Sequence, residues 1–378
     1  MLTGSTLKVP LADLHAQYLT LKPEIDAAIQ DVINSSQFIL GGAVASFEQA
    51  FAEAHGASHC IGVGSGTDAL HLALWASGAG RGDEVVTTPF TFIATVEAIL
   101  LLGATPVFVD IDPATYTLDP AKLEEYLLRP RSKTVRAIIP VHLYGLPAEM
   151  DAIGTLARRE GSDVIEDACQ AHLARYGGKV VGNFGSSGCF SFYPGKNLGA
   201  YGEAGAVTTS DDALAGRIRR LRDHGQSEKY KHEFYGHNYR MDGIQGAVLG
   251  AKMRHLGAWT LRRRELAAFY KDRLSGIGEL VLPFEPPNAE HVYHLFVVRT
   301  KRRDALQSYL AGRGIATGLH YPIPLHFQEA CRSLGYKRGD FPVSERSAEE
   351  CISLPLYPEM SQEQADHVAA SVRSFFAR

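Results

Sequence analysis

Lys196 stands in the run Phe190-Ser191-Phe192-Tyr193-Pro194-Gly195-Lys196-Asn197, just after an apolar stretch that reads as a β-strand. Earlier in the chain Asp167, within Glu166-Asp167-Ala168-Cys169-Gln170-Ala171, closes another such stretch. A lysine amine and a carboxylate delivered by two strand ends are the protein groups that pyridoxal 5'-phosphate requires. The amine condenses with the cofactor's aldehyde, and the carboxylate keeps the pyridine nitrogen protonated so that the ring accepts electrons from a substrate carbon. Each residue alone has a plainer explanation. A lysine after a strand is commonly a solvated loop residue, and an acid between a strand and a helical run caps the helix.

A second constellation is Gly64-Ser65-Gly66-Thr67-Asp68-Ala69, between a strand and a helical pattern. Glycines let a backbone approach a ligand closely, and a helix N-terminus offers free N–H groups to a phosphate. The segment also satisfies the loose dinucleotide pattern Gly-x-Gly-x-x-Ala. That alternative expects an acid at the end of the next strand, whereas Asp83 and Glu84 come before or at its start. A simple helix cap without a ligand is the third reading.

The Ser-Phe-x-x-x-Lys-Asn run, taken with Asp-x-x-Gln before it, resembles the sugar aminotransferases of the DegT/DnrJ/EryC1/StrS family, and the likeness runs over nearly the whole chain. It implies fold type I and the cofactor pyridoxal 5'-phosphate. By that resemblance the backbone of Gly66 and Thr67 and the hydroxyl of Ser191 take the phosphate, Phe92 stacks on the pyridine face, and Gln170 reaches the ring's phenolic oxygen. Asp167 serves the ring nitrogen and Lys196 the aldehyde. Asn238, in the family's Gly-x-Asn-x-Arg-Met pattern, belongs to the phosphate of a neighbouring subunit, which implies a homodimer with shared active sites. Without the resemblance, Ser191 is a strand-end serine, Phe92 a core aromatic and Asn238 a turn cap.

Gly318-Leu319-His320-Tyr321-Pro322-Ile323-Pro324-Leu325-His326 resembles the His-Tyr-Pro-x-Pro-x-His stretch of members acting on nucleotide-linked keto-sugars. His320, Tyr321 and His326 are therefore expected on the substrate side, with Lys229, Lys231 and Arg240 as candidates for the nucleotide's diphosphate. As bare sequence these are a proline-punctuated loop and solvated charges. Some members of that family carry histidine in place of this lysine and dehydrate instead, so by resemblance Lys196 implies transamination. The expected reaction moves an amino group, by resemblance from L-glutamate, to a nucleotide-linked keto-sugar in amino-sugar biosynthesis, with a 3-keto hexose favoured. Two rivals are a cysteine desulfurase or related lyase, which needs a mobile cysteine, and a non-catalytic sensor of sugar or cofactor.

Apolar strands alternating with helices carry these residues. Strands are expected at 59–63, 84–88, 106–109, 135–141, 163–166, 188–192 and 205–209, with helices at 23–33, 67–77, 95–102 and 150–159. Such alternation implies an α/β fold whose mainly parallel sheet is covered by helices on both faces, with ligands at the strands' carboxyl ends. An Arg-rich helix at 253–275 leads into a smaller C-terminal α+β domain with a strand at 292–298 and helices at 303–313 and 361–376. The expected division is 1–252 and 253–378.

Bulk composition agrees with a catalytic protein of this size. The 378 residues are 45% hydrophobic and 21% charged, with a formal net charge of −4. That balance gives no reason to expect nucleic acid or an anionic membrane as partner. The five cysteines are scattered without a Cys-x-x-Cys pair, so neither a disulfide framework nor a metal site is expected. Met1 to Pro10 lacks the apolar core of a signal peptide, and the expected location is cytoplasmic.

Overall fold

The computed structural model describes residues 7–377; Met1 to Thr6 of the N-terminal stretch and Arg378 lie outside the described residues. Seven strands form the central sheet: β1 (His59–Val63), β2 (Glu84–Thr87), β3 (Thr105–Phe108), β4 (Val135–Ile138), β5 (Asp163–Asp167), β6 (Ser187–Ser191) and β7 (Gly205–Thr209). Their order is β1-β7-β6-β5-β4-β2-β3. Every neighbouring pair is parallel except those involving β7, which runs against both β1 and β6. One reversed strand therefore leaves β1, β5 and β6 ending at the same edge.

Helices cover both faces, as strands buried on each side demand. Residues alternate along the strands: Ile61 and Val63 pack with α3 (Gly66–Ala76), α4 (Ala94–Leu101) and α7 (Asp212–Leu221). Cys60, Phe190 and Ala206 pack instead with α2 (Gly41–His55) and α8 (Gly243–Met253). Val86, Val107 and Val164 meet α5 (Pro120–Leu127) and α6 (Met150–Glu160) on that same side.

The helix expected from Pro23 starts earlier, as α1 (Leu14–Ser35), because Asp13 caps it by accepting from Ala16 N and Pro23 is carried inside. The Arg-rich helix begins at Leu256, as α9 (Leu256–Leu274), after α8 has ended. The strand expected at 292–298 shrinks to β8 (Phe296–Arg299), paired antiparallel with β9 (Cys351–Leu354). The reason lies far away in the chain: Val292 N and Leu295 N donate to Gly145 O and Tyr144 O, so that stretch is held by a turn and not by a ladder.

A separate apolar cluster joins α9, β8 and β9 to α10 (Arg303–Ala311) and α11 (Gln362–Phe376). Val9 belongs to it, bridged in parallel to Ile315, with Val9 N bonded to Gly314 O and Ala316 N to Val9 O. Smaller clusters join the sheet side to the C-terminal third, one through Phe90, Val141 and Val297 and another through Val96, Leu325 and Phe341. No helix among the described residues is long and apolar enough to cross a membrane.

Candidate active site

Asp167 is the last residue of β5, and Lys196 follows β6, its parallel neighbour, by a short turn in which Lys196 N donates to Tyr193 O. The two thus meet at the carboxyl-end edge of the sheet. Asp167 is buried, and its two oxygens are separately held: Oδ2 accepts from Thr95 Oγ1 at 2.8 Å and Oδ1 from Cys169 N at 3.2 Å. The Lys196 side chain is half-buried, and its amine forms no hydrogen bond or ion pair among the described residues. Burial lowers its pKa from the usual lysine value, with the nearby Cys169 and Asp167 opposing that shift.

The third strand end at this edge is β1, which leads through Ser65 into α3. Ser65 Oγ accepts from Asp68 N at 3.1 Å, while the N–H groups of Gly66 and Thr67 donate to nothing among the described residues. Gly66 is required by crowding. A Cβ there would lie 2.6 Å from Ser191 Cβ and 3.0 Å from Cys169 Sγ. The free helix N-terminus therefore abuts the end of β6, with the Ser191 hydroxyl beside it. An amine without a partner, a buried carboxylate and two open N–H groups beside a serine fit the aldehyde, ring nitrogen and phosphate of pyridoxal phosphate.

Around them the C-terminal third closes in. Gln170 Oε1 accepts from Tyr144 N at 2.7 Å, and its Nε2 donates to Tyr321 Oη at 3.1 Å. Phe92 is 54% exposed, and its ring lies 5.9 Å from that of Tyr321. His320 Nδ1 lies 2.8 Å from Ser353 Oγ, and burial, with Lys196 nearby, lowers its pKa to about 4. Burial, followed by the charge of Lys196, also holds His294 well below the ordinary histidine value.

Among the described residues, the side chains of the other expected site residues make no contact with this group, although the backbone of Tyr239 and Arg240 runs beside Val63 and Gly64. Asn238 is exposed, and its Oδ1 accepts from Arg240 Nε at 3.0 Å. Arg240 pairs with Asp223 at 2.9 Å. Lys229 lies over the Tyr230 ring, and Lys231 pairs with Glu228 at 3.9 Å, both on a two-stranded hairpin at the surface. His326, expected beside the substrate, is buried with Nε2 3.2 Å from Glu345 Oε1 and packs on Phe327 and Phe341. None of its contacts joins it to Lys196.

Thr95, Tyr144 and His294 were not expected at the site. Thr95 and Tyr144 hold Asp167 and Gln170 from distant parts of the chain, a pairing that no local pattern announces.

The geometry bears on the rival chemistries. β2 ends at Thr87 and opens with Glu84, which accepts from Tyr126 Oη at 2.6 Å, so no acid ends the strand where a dinucleotide site wants one. Burial pushes the thiols of all five cysteines up, which opposes the thiolate that a desulfurase uses. Among the described residues no cluster of His, Cys, Asp or Glu is arranged to hold a metal ion.

Comparison with known proteins gives one consistent picture. A family model described as the DegT/DnrJ/EryC1/StrS aminotransferase family matches residues 20–373. The chain is 47% identical to a "Pleiotropic regulatory protein" of Geobacillus stearothermophilus, covering 98% of this chain and 99% of the relative. It is 46% identical to the "dTDP-3-amino-3,4,6-trideoxy-alpha-D-glucose transaminase" of Streptomyces venezuelae, covering 99% and 98%. Among solved structures, S. venezuelae DesV "in complex with ketimine intermediate" superposes with a TM-score of 0.96 at 46% identity, covering 99% of this chain and 100% of that one.

Proposed function

Because this chain belongs to the DegT/DnrJ/EryC1/StrS aminotransferase family, it is a pyridoxal-phosphate-dependent sugar aminotransferase, and we propose that it aminates a nucleotide-linked keto-hexose at C3. The observation that carries the site assignment is the meeting of Asp167 with an unpaired, pKa-lowered Lys196 at one sheet edge.

Bound pyridoxal phosphate supplies an aldehyde that takes up the amino group and a ring that accepts the electron pair left at the substrate's Cα. The protein does the rest. Gly66 and Thr67 N–H with the Ser191 hydroxyl would hold the phosphate, Phe92 would pack on the ring, and Gln170 would face its phenolic oxygen. Asp167 holds the proton on the ring nitrogen. With the cofactor bound, the Lys196 amine, its proton affinity reduced by burial, would be the base that takes the proton from Cα of the amino donor, L-glutamate, and carries it to the cofactor. In the second half-reaction the same amine runs this transfer backwards on the sugar.

Tyr321 is assigned to the sugar on the strength of its links to Gln170 and Phe92, and His320 through its ring contact with Tyr321. C3 is favoured by the 320–326 stretch and by the 3-amino product in the name of the S. venezuelae relative. A higher kcat/KM for a 3-keto than a 4-keto nucleotide hexose is the expected result. We assign Asn238 to the phosphate of a second subunit, with Lys229 and Arg240 at the nucleotide's diphosphate, in a cytoplasmic homodimer. The division at residue 253 is supported by the separate apolar cluster built on α9 and the elements after it, which Val9 of the N-terminal segment joins. The regulatory name of the Geobacillus relative raises the sensor reading, but an intact lysine–acid pair favours catalysis.

Borohydride reduction of the yellow holoenzyme, followed by peptide mapping, tests the central assignment. The label is expected on Lys196, and Lys196→Ala is expected to bind cofactor without turning over. Labelling of another lysine overturns it.

A further inference from the structure

Glu166 precedes Asp167 on β5, and by strand alternation its side chain turns to the other side of the sheet. It is fully buried, yet its carboxylate is completely satisfied. Oε1 accepts from Phe184 N at 2.6 Å and Gly185 N at 3.0 Å. Oε2 accepts from Gly182 N at 2.7 Å and from His142 Nε2 at 3.1 Å.

The other nitrogen of His142 assigns its proton. Nδ1 lies 3.0 Å from Ala148 N, which donates to it, so the hydrogen sits on Nε2 and points at Glu166. Burial alone would raise the Glu166 carboxyl, but His142 and the N–H groups of Gly182 and Gly185 hold it below the usual range.

His142 is also tied to Asp167 through the backbone. His142 N donates to Asp167 O at 3.0 Å, and Asp167 N to Pro140 O at 2.9 Å. Two residues further on, Tyr144 N donates to Gln170 Oε1, and the Tyr144 hydroxyl donates to His320 O. Segment 140–145 therefore touches Asp167, Gln170 and His320, and the Glu166–His142 contact fastens that segment to β5.

We propose that Glu166, acting through His142, is a positioning residue for transamination: it locks segment 140–145 against β5 and so aims Asp167 and Gln170 at the cofactor. The proposal rests on the reading that Asp167 and Gln170 face the cofactor ring. It explains why a carboxylate occupies a site with no cation opposite it. Four N–H donors converge on two oxygens, a demand that no neutral side chain of this shape meets. A glutamine would turn its NH2 against two N–H donors whichever way it was placed.

The test compares the holoenzyme with Glu166→Gln, His142→Asn and the double variant. His142→Asn keeps an acceptor near Ala148 N and leaves Glu166 its three backbone donors, so it decides the matter even where Glu166→Gln does not fold. Both single variants are expected to keep borohydride labelling on Lys196 and a KM for the amino donor close to the parent's. The kcat of the donor half-reaction should fall by about 10- to 100-fold, the scale of a small misplacement of reacting groups. The pH dependence of the cofactor's absorbance should shift in the same direction as in Asp167→Asn. The double variant should be no worse than Glu166→Gln alone, because both lesions act along one route. Parent-like kcat and absorbance with only a lowered Tm would make Glu166 a structural group and overturn the proposal, as would additive losses in the double variant. Labelling of a different lysine in the parent would instead sink the site assignment, whatever the variants do.

Discussion

The Thr95 hydroxyl donates to Oδ2 of Asp167 across 2.8 Å, joining the first turn of α4 to the end of β5. Thr91 Oγ1 lies 3.2 Å from Thr95 Oγ1, so the threonine hydroxyl has a second partner and can reverse its direction. The acid is thus held by a group that adapts to what stands in its place.

That relationship makes Asp167→Asn an informative change. The new NH2 can donate to Thr95 Oγ1, which turns its own proton to Thr91, while the amide oxygen still accepts from Cys169 N. No buried polar atom is stranded, so fold and cofactor should be retained. Turnover should drop about 10²-fold or more, the scale of losing one preorganised electrostatic contact. Activity within about twofold of the parent would make Asp167 a cap and not the ring's partner.

Gly66→Ala should be damaging despite the small change. Its Cβ would sit 2.6 Å from Ser191 Cβ and 3.2 Å from Ser191 Cα, and backbone cannot swing aside as a long side chain can. A loss of about 1–3 kcal/mol in stability, the usual cost of overpacking, should accompany weaker cofactor binding. Thermal melts with and without pyridoxal phosphate measure both. An unchanged cofactor affinity would argue against a phosphate at this helix N-terminus.

Mixing subunits tests whether Asn238 serves another chain's site. In a heterodimer of Lys196→Ala with Asn238→Ala, one site carries both lesions and the other neither. Activity should reappear on mixing two inactive preparations. No recovery despite verified subunit exchange would return Asn238 to its own chain.

Acid should destabilise the fold early. Burial lowers His55 and His71 to about 4, His291 to about 3 and His320 to about 4, against 6.5 for a free imidazole. Between about 4 and 6.5 the unfolded chain therefore binds more protons than the folded one, and stability falls as pH drops through that window. Fully buried groups such as His55 each account for about 3 kcal/mol by its lower end. Glu166, shifted the other way, adds its loss only below 4.5, as pH falls towards its folded value. Urea midpoints from pH 7.5 to 4.5 should decline steadily from near 6.5, and a flat profile to pH 5 would contradict these imidazoles being buried and neutral.

The legible part of the fold was that set by local pattern. Strand ends at Asp167 and Ser191 could be read because parallel strands buried on both faces are continuous apolar runs, and chemistry-bearing residues follow them directly. α2 went unread although Val44, Phe47 and Phe51 recur at helical spacing. The strand at 292–298 misled because Val292 and Leu295 are apolar for packing while their N–H groups serve a turn far away in the chain. Thr95 and Tyr144 were beyond reach for a related reason: each meets its partner only after the sheet has assembled. His326 shows the converse, a motif residue whose surroundings, Glu345 and two phenylalanines, are visible only in three dimensions.

The bridge between Val9 and Ile315 has a consequence for biosynthesis. A ribosome delivers Val9 before α1 and the sheet, yet the segment it pairs with, at Ile315, emerges only after both. Until then the N-terminal segment has no native place to rest, while α1 and the sheet can already form behind it. Closing so long a loop adds little entropic cost at equilibrium, because that cost grows only with the logarithm of its length. It does impose a sequence of events in time. The C-terminal cluster, and with it the arm that brings His320 and Tyr321 to Gln170, reaches its native form last. A nascent chain stalled before residue 315 would thus own the lysine and the acid but not the enclosure around them, and the capacity to admit a sugar arrives only with the later segment.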